Sequence, residues 1–106
     1  MREEIEAARL RPSMWGLDGS FSEYVAFLIG LNAGVNGTLL DGFGEWVAGR
    51  SKKGGATLLW PILVLRESSA KELQSNDWHN LEAADDARAV EVLFHLLTEF
   101  EADVAG

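Results

Sequence analysis

The last thirty residues carry an apolar pattern that is typical of an amphipathic helix. Apolar side chains recur every three or four residues from about Leu81 to Asp103, and this spacing places them on one side of a helix. We therefore expect a long C-terminal helix that packs its apolar side into a protein core. The residues expected to be buried are Ala84, Ala87, Val90, Leu93, Phe94, Leu97 and Phe100.

Three further helices are predicted in the first half of the chain. Residues 3–10 combine helix-forming residues with acids in the first turn, where acids favour a helix. Ser20 precedes Glu23 at the spacing of a capping box and begins a second helix that continues to about Val35. Thr38 begins a third helix, with its apolar side chains on one face. The third helix is expected to bury Leu39, Leu40, Phe43, Trp46 and Val47.

The second helix is predicted to be the central, buried element. Its residues are apolar nearly all round between Val25 and Leu31. Ala26, Gly30 and Gly34 form a stripe of small residues, which favours close packing of another backbone. We also expect Met14 and Trp15 to pack into the core, together with the tryptophans at positions 46 and 60.

The apolar run from Leu58 to Leu65 suits either a buried strand or a buried helix. Pro61 favours the helix, because a proline removes a hydrogen bond from a central strand but is tolerated at the start of a helix. No other segment offers a partner strand, so a helix over 59–67 is predicted. The expected fold is a single all-α domain over residues 1–106, a compact bundle of about five helices.

The charge of the chain is concentrated at its C-terminal end. Eight acids and one base, Arg88, lie in residues 77–106, and they account for seven of the eight net negative charges. A pI near 4.6 argues against nucleic-acid binding, although Arg50, Lys52 and Lys53 form a short basic cluster. No apolar stretch approaches the ~18 residues of a membrane span, and the chain has no cysteine. We expect a cytoplasmic protein that contacts neither membranes nor nucleic acids.

The sequence contains little material for catalysis. It has no cysteine, only two histidines and no serine in a nucleophile-elbow pattern, so we expect neither an enzyme nor a cofactor. Glu91, His95 and Glu99 recur at four-residue intervals, a spacing that can place three ligands near one metal ion. Solvated side-chain pairs have the same spacing, and no second helix offers a further ligand. We therefore predict no metal site.

A set of apolar anchors carries a resemblance to a known group of proteins. The anchors are the segment from Arg11 to Gly16, Phe21 to Gly30, Leu40 to Val47, Trp60 to Leu65 and Ala89 to Phe100. The chain resembles small, acidic, all-helical bacterial proteins, some of which are similar to the immunity proteins of polymorphic toxin systems. The resemblance implies a shared fold and, through the immunity proteins, a function in binding a toxin. It transfers no catalytic residue, and Trp15 stands where tyrosine is usual.

Acids at the start of the last helix are the predicted binding surface. A toxin that acts on nucleic acid has a basic active site, which an anionic surface can reach quickly through electrostatic steering. We expect a basic cognate toxin protein as the partner. The alternative is a self-associating domain in which Val92 and Leu96 are buried in a homodimer. The predicted partner-binding residues are Asp77, Trp78, Glu82, Asp85, Asp86, Glu91 and Glu99. For Trp78, folding back onto the core is an equal alternative to an exposed position in an interface.

Overall fold

Helices are the only regular secondary structure in the described part of the chain. The computed structural model describes residues 3–50, 59–68, 78 and 81–105. No strand occurs in those ranges, and the predicted all-α class with a long C-terminal helix is confirmed. The α-helices are α1 (Glu3–Leu10), α2 (Phe21–Gly34), α3 (Phe43–Arg50), α4 (Trp60–Ser68) and α5 (Ala83–Ala105), and a 3-10 helix covers Pro12–Trp15.

The apolar side of α5 forms the middle of the core. This helix packs against α2, α3 and α4. The prediction is wrong for Ala84 and Ala87, which are exposed. Ala84 lies on the opposite side of the helix from the buried residues, whereas Ala87 is in line with Phe94 but about two turns nearer the exposed start of α5. Val90 is half-buried against the core. The buried residues of α5 are Ala89, Leu93, Phe94, Leu96, Leu97 and Phe100.

The apolar run that ends at Leu65 forms a helix, α4, as the position of Pro61 indicates. Pro61 is the second residue of α4, where its missing amide proton removes no hydrogen bond within the helix. The Leu59 carbonyl accepts the first hydrogen bonds, from the amides of Ile62 at 3.0 Å and Leu63 at 3.2 Å. Residues 61–65 are all buried, so α4 is a central element of the bundle.

α3 begins at Phe43, five residues later than predicted. Gly42 adopts a φ of +80°, a left-handed conformation that cannot lie inside a right-handed helix, and its carbonyl accepts a hydrogen bond from the Trp46 amide. The segment before it is held by Asn32, whose side-chain oxygen accepts from the Leu40 amide at 2.8 Å. Gly44 lies inside α3, where an added Cβ would lie 3.8 Å from Trp60, so α3 packs closely on α4 here.

α2 is buried on one side only, which corrects the expectation of a central helix. Phe21, Tyr24, Val25 and Leu28 are buried, whereas Ile29 is 50% exposed. The small residues at positions 26, 30 and 34 are exposed as well, and nothing lies within 4 Å of a Cβ added at Gly30 or Gly34. The stripe therefore packs no backbone within the described ranges.

Met14 and Trp15 are exposed, so the prediction that they pack into the core is wrong. Met14 is 73% exposed and Trp15 is 43% exposed, with its ring edge against Phe27. The 3-10 helix is only four residues long and ends at Gly16, which has a φ of +74°, so it lies on the surface. Of the other tryptophans expected in the core, Trp46 and Trp60 are half-buried around Phe43.

Tyr24 connects α1 to α2. Its buried hydroxyl donates to the Ala8 carbonyl at 3.0 Å, near the end of α1. Burial raises the pKa of the Tyr24 phenol, against a smaller opposite effect of the nearby Arg9 charge. The phenol is therefore protonated at neutral pH and remains a hydrogen-bond donor.

The open space beside Gly30 generates a stability prediction. Glycine inside a helix costs roughly 0.5–1 kcal/mol relative to alanine, and Gly30→Ala meets no neighbouring atom, so we expect it to stabilise the chain by about that amount. Gly42→Ala is the matched control, and it should destabilise the chain by about 1 kcal/mol because of the positive φ. Urea unfolding monitored by circular dichroism measures both. If Gly30→Ala instead lowers the free energy of unfolding, the added methyl group meets a neighbour, which would contradict the exposure of the small residues on this side of α2.

Candidate partner-binding surface

The structure divides the predicted binding residues among three environments. Glu82 and Asp85 are exposed at the start of α5, and Glu91 is exposed in its middle. Asp86 and Glu99 are half-buried and contact other helices. Trp78 is half-buried and packs against the core, and Asp77 lies outside the described residues.

Asp86 joins the start of α5 to the start of α2. Its carboxylate accepts a hydrogen bond from the Phe21 amide at 3.0 Å, across 65 positions of the sequence. Phe21 is the first residue of α2, where amide protons lack acceptors within the helix and an anion is favoured. Ser20 caps the same end, because its hydroxyl accepts from the Glu23 amide at 3.4 Å, as the capping spacing predicts. Asp86 therefore stabilises the fold.

Glu99 joins α5 to the end of α3. Its carboxylate forms an ion pair with the Arg50 guanidinium, and one of its oxygens lies 2.8 Å from His95 Nε2. The Arg50 guanidinium also lies 4.9 Å from the centre of the Trp46 ring, an attractive cation–π distance. Trp46 Nε1 donates to Asp103 at 2.7 Å, which adds a second contact between the two helices.

The three residues considered for metal binding do not form a cluster. His95 contacts Glu99, but Glu91 contacts neither of them. Within the described ranges, no group of three or more acids, histidines or cysteines is arranged to hold a metal ion. Of the short basic cluster in the sequence, Arg50 is the last residue of α3 and is paired with an acid, and Lys52 and Lys53 lie outside the described residues.

Three carboxylates remain directed at solvent. Glu82, Asp85 and Glu91 are exposed, and none of them forms an ion pair within the part of the chain that the structure describes. Arg88, the base nearest to them in sequence, is also exposed and pairs with none of them there. We call Glu82, Asp85 and Glu91 the acidic surface.

The face proposed for a homodimer on α5 is already used within the chain. Leu96 is 3% exposed and Val92 packs against the core. Leu96 is therefore used in the core of the monomer, whereas Val92 is partly exposed. A different apolar surface is exposed at the other end of the chain, where Leu10, Met14 and Trp15 lie together.

Sequence reasoning misses this second surface because it treats apolar residues as core residues. The available signal is local: Pro12 and Gly16 flank Met14 and Trp15 and leave room for only one short turn of helix. Such a short segment offers few positions from which a side chain can reach the core.

Comparison with known proteins provides no relative. No protein-family model matches the chain, and no curated protein and no solved structure matches it. Among the described residues, no helix combines the length and apolar character needed to cross a bilayer. The function is therefore inferred from the geometry of the surface itself.

The position of Asp86 generates a prediction with a built-in control. Asp85 and Asp86 both lie in the first turn of α5, so replacing either by alanine removes the same interaction with the dipole of that helix. Only Asp86 also caps α2. We expect Asp86→Ala to lower the free energy of unfolding by about 1–2 kcal/mol more than Asp85→Ala does. Urea unfolding measures the difference, and equal losses contradict the capping interaction.

Proposed function

We propose that this chain is a binding protein of the immunity or inhibitor type, which neutralises a toxin by covering its basic active site with the acidic surface. The observation that supports the proposal is the exposure of Glu82, Asp85 and Glu91, whose carboxylates have no ion-pair partner within the described ranges. Unpaired surface acids are available to a partner without the loss of an existing bond.

The distribution of charge supports a basic partner. The whole chain has a net charge of −8, so its field attracts cations and repels anionic ligands such as nucleic acids. A toxin that acts on nucleic acid carries a basic active site, because it must bind phosphates. Carboxylates placed over that site compete directly with the phosphates of the substrate.

The rigid attachment of α5 also supports a binding function. Asp86 fixes the beginning of the helix to α2 and Glu99 fixes its later part to α3. The acids between and beside these contacts are therefore held in one arrangement, which lowers the entropy lost on binding. A cytoplasmic site of action, where such a toxin would reach its substrate, belongs to the same proposal.

Charge reversal at the acidic surface tests the proposal. The triple variant Glu82→Lys, Asp85→Lys and Glu91→Lys should still fold, because these side chains form no ion pair within the described ranges. The change at Asp85 loses only the interaction with the α5 dipole, about 1 kcal/mol. The triple variant should lose protection when it is coexpressed in bacteria with the protein encoded immediately upstream. Its association rate with that protein should fall about 10- to 1,000-fold at low salt, which stopped-flow fluorescence can measure.

A second triple variant controls for net charge alone. Asp41→Lys, Glu45→Lys and Glu67→Lys produces the same change in charge at other exposed acids. Wild type and this control should both protect the cells. Three results would contradict the proposal. The first variant could protect the cells fully, both variants could lose protection equally, or the upstream protein could leave growth unimpaired.

A further inference from the structure

The end of α1 and the 3-10 helix expose a contiguous apolar surface. Leu10 is 75% exposed and Met14 is 73% exposed, and together with Trp15 they line a groove of about 450 Å³. Ala7 and Arg11 complete its lining. Single exposed apolar residues are ordinary, but a continuous group of them marks a surface that another molecule covers. We call this group the α1 groove.

The α1 groove is preformed. The Leu17 amide donates to the Pro12 carbonyl at 3.0 Å and closes the 3-10 helix, while the Trp15 ring rests edge-on against Phe27 with their centres 5.7 Å apart. The Arg11 amide donates to the Ala7 carbonyl at 2.9 Å, which continues the helical hydrogen bonding to the edge of the groove. A partner therefore meets a surface that needs no rearrangement.

An acid and a base lie at equal distances in sequence from Ala7, and the base, Arg11, also lines the α1 groove. Glu3 lies four residues before Ala7 and Arg11 lies four residues after it. Both are exposed, and neither forms an ion pair within the described part of the chain. When two such helices pack antiparallel about a two-fold axis at Ala7, each acid meets the base of the other copy. The surface is complementary to itself.

We propose that the α1 groove binds a second copy of this chain, with the two α1 helices antiparallel around Ala7. The small Ala7 side chain allows the two helices to approach closely, and Leu10 and Met14 of each copy cover the groove of the other. An interface built around a two-fold axis requires this type of self-complementarity. None of Glu82, Asp85 and Glu91 lines the groove, so this proposal does not rest on the proposed toxin binding.

Sedimentation equilibrium of the full chain tests the proposal at physiological ionic strength, where the repulsion between two acidic copies is screened beyond about 8 Å. We expect a dimer at micromolar concentration. Leu10→Glu should raise the dissociation constant about 100-fold. Val104→Glu, which changes another exposed apolar residue outside the groove, should leave it unchanged.

Charge exchange tests the antiparallel arrangement directly. Glu3→Arg and Arg11→Glu should each raise the dissociation constant about tenfold, because the symmetry places like charges together twice. The double variant should restore the wild-type value. Circular dichroism verifies that each variant is folded. Three results overturn the proposal: the wild type is a monomer at all concentrations, Leu10→Glu still dimerises as the wild type does, or the double variant does not recover the wild-type dissociation constant.

Discussion

Burial of the apolar side of α5 is the interaction on which the other elements depend. Leu93 and Phe94 contribute to a core that includes residues from all five helices. Two acids of the same helix provide polar attachments: Asp86 caps α2, and Glu99 pairs with Arg50 at the end of α3. α1 contacts it too, since the Arg9 guanidinium lies 5.1 Å from the centre of the Phe94 ring. One helix therefore positions the rest of the bundle.

This arrangement assigns different functions to acids of the same helix. Asp86 lies in line with the buried Ala89 and Leu93, at the start of the apolar side, and Glu99 lies at the edge of that side. Neighbouring helices bring an amide within reach of Asp86 and a guanidinium within reach of Glu99. Glu91 lies on the outer side and meets solvent, as do Glu82 and Asp85 before and within the first turn. A concentration of negative charge therefore combines acids that stabilise the fold with acids that are available to a partner.

The sequence predicts the helices well, because helix formation depends on spacing and on residues that are close in the chain. The boundaries of α1 and the helical state of 59–67 follow from local features such as the first-turn acids and Pro61. The bond from Phe21 to Asp86 spans 65 positions and leaves no local pattern. The sequence also does not predict that Met14 and Gly30 are exposed. An apolar or small residue can pack only where another helix lies against it, and the sequence does not show which sides of a helix have such a neighbour.

Native-state amide hydrogen exchange tests the dependence on α5 most directly. If α5 organises the bundle, the amides of Leu93, Phe94, Leu96 and Leu97 become accessible only when the whole chain unfolds. Their opening free energies should then equal the free energy of unfolding measured with urea, while the amides of α1 exchange at lower free energies. Exchange of the α5 amides while those of α1 or α2 remain protected would contradict the account.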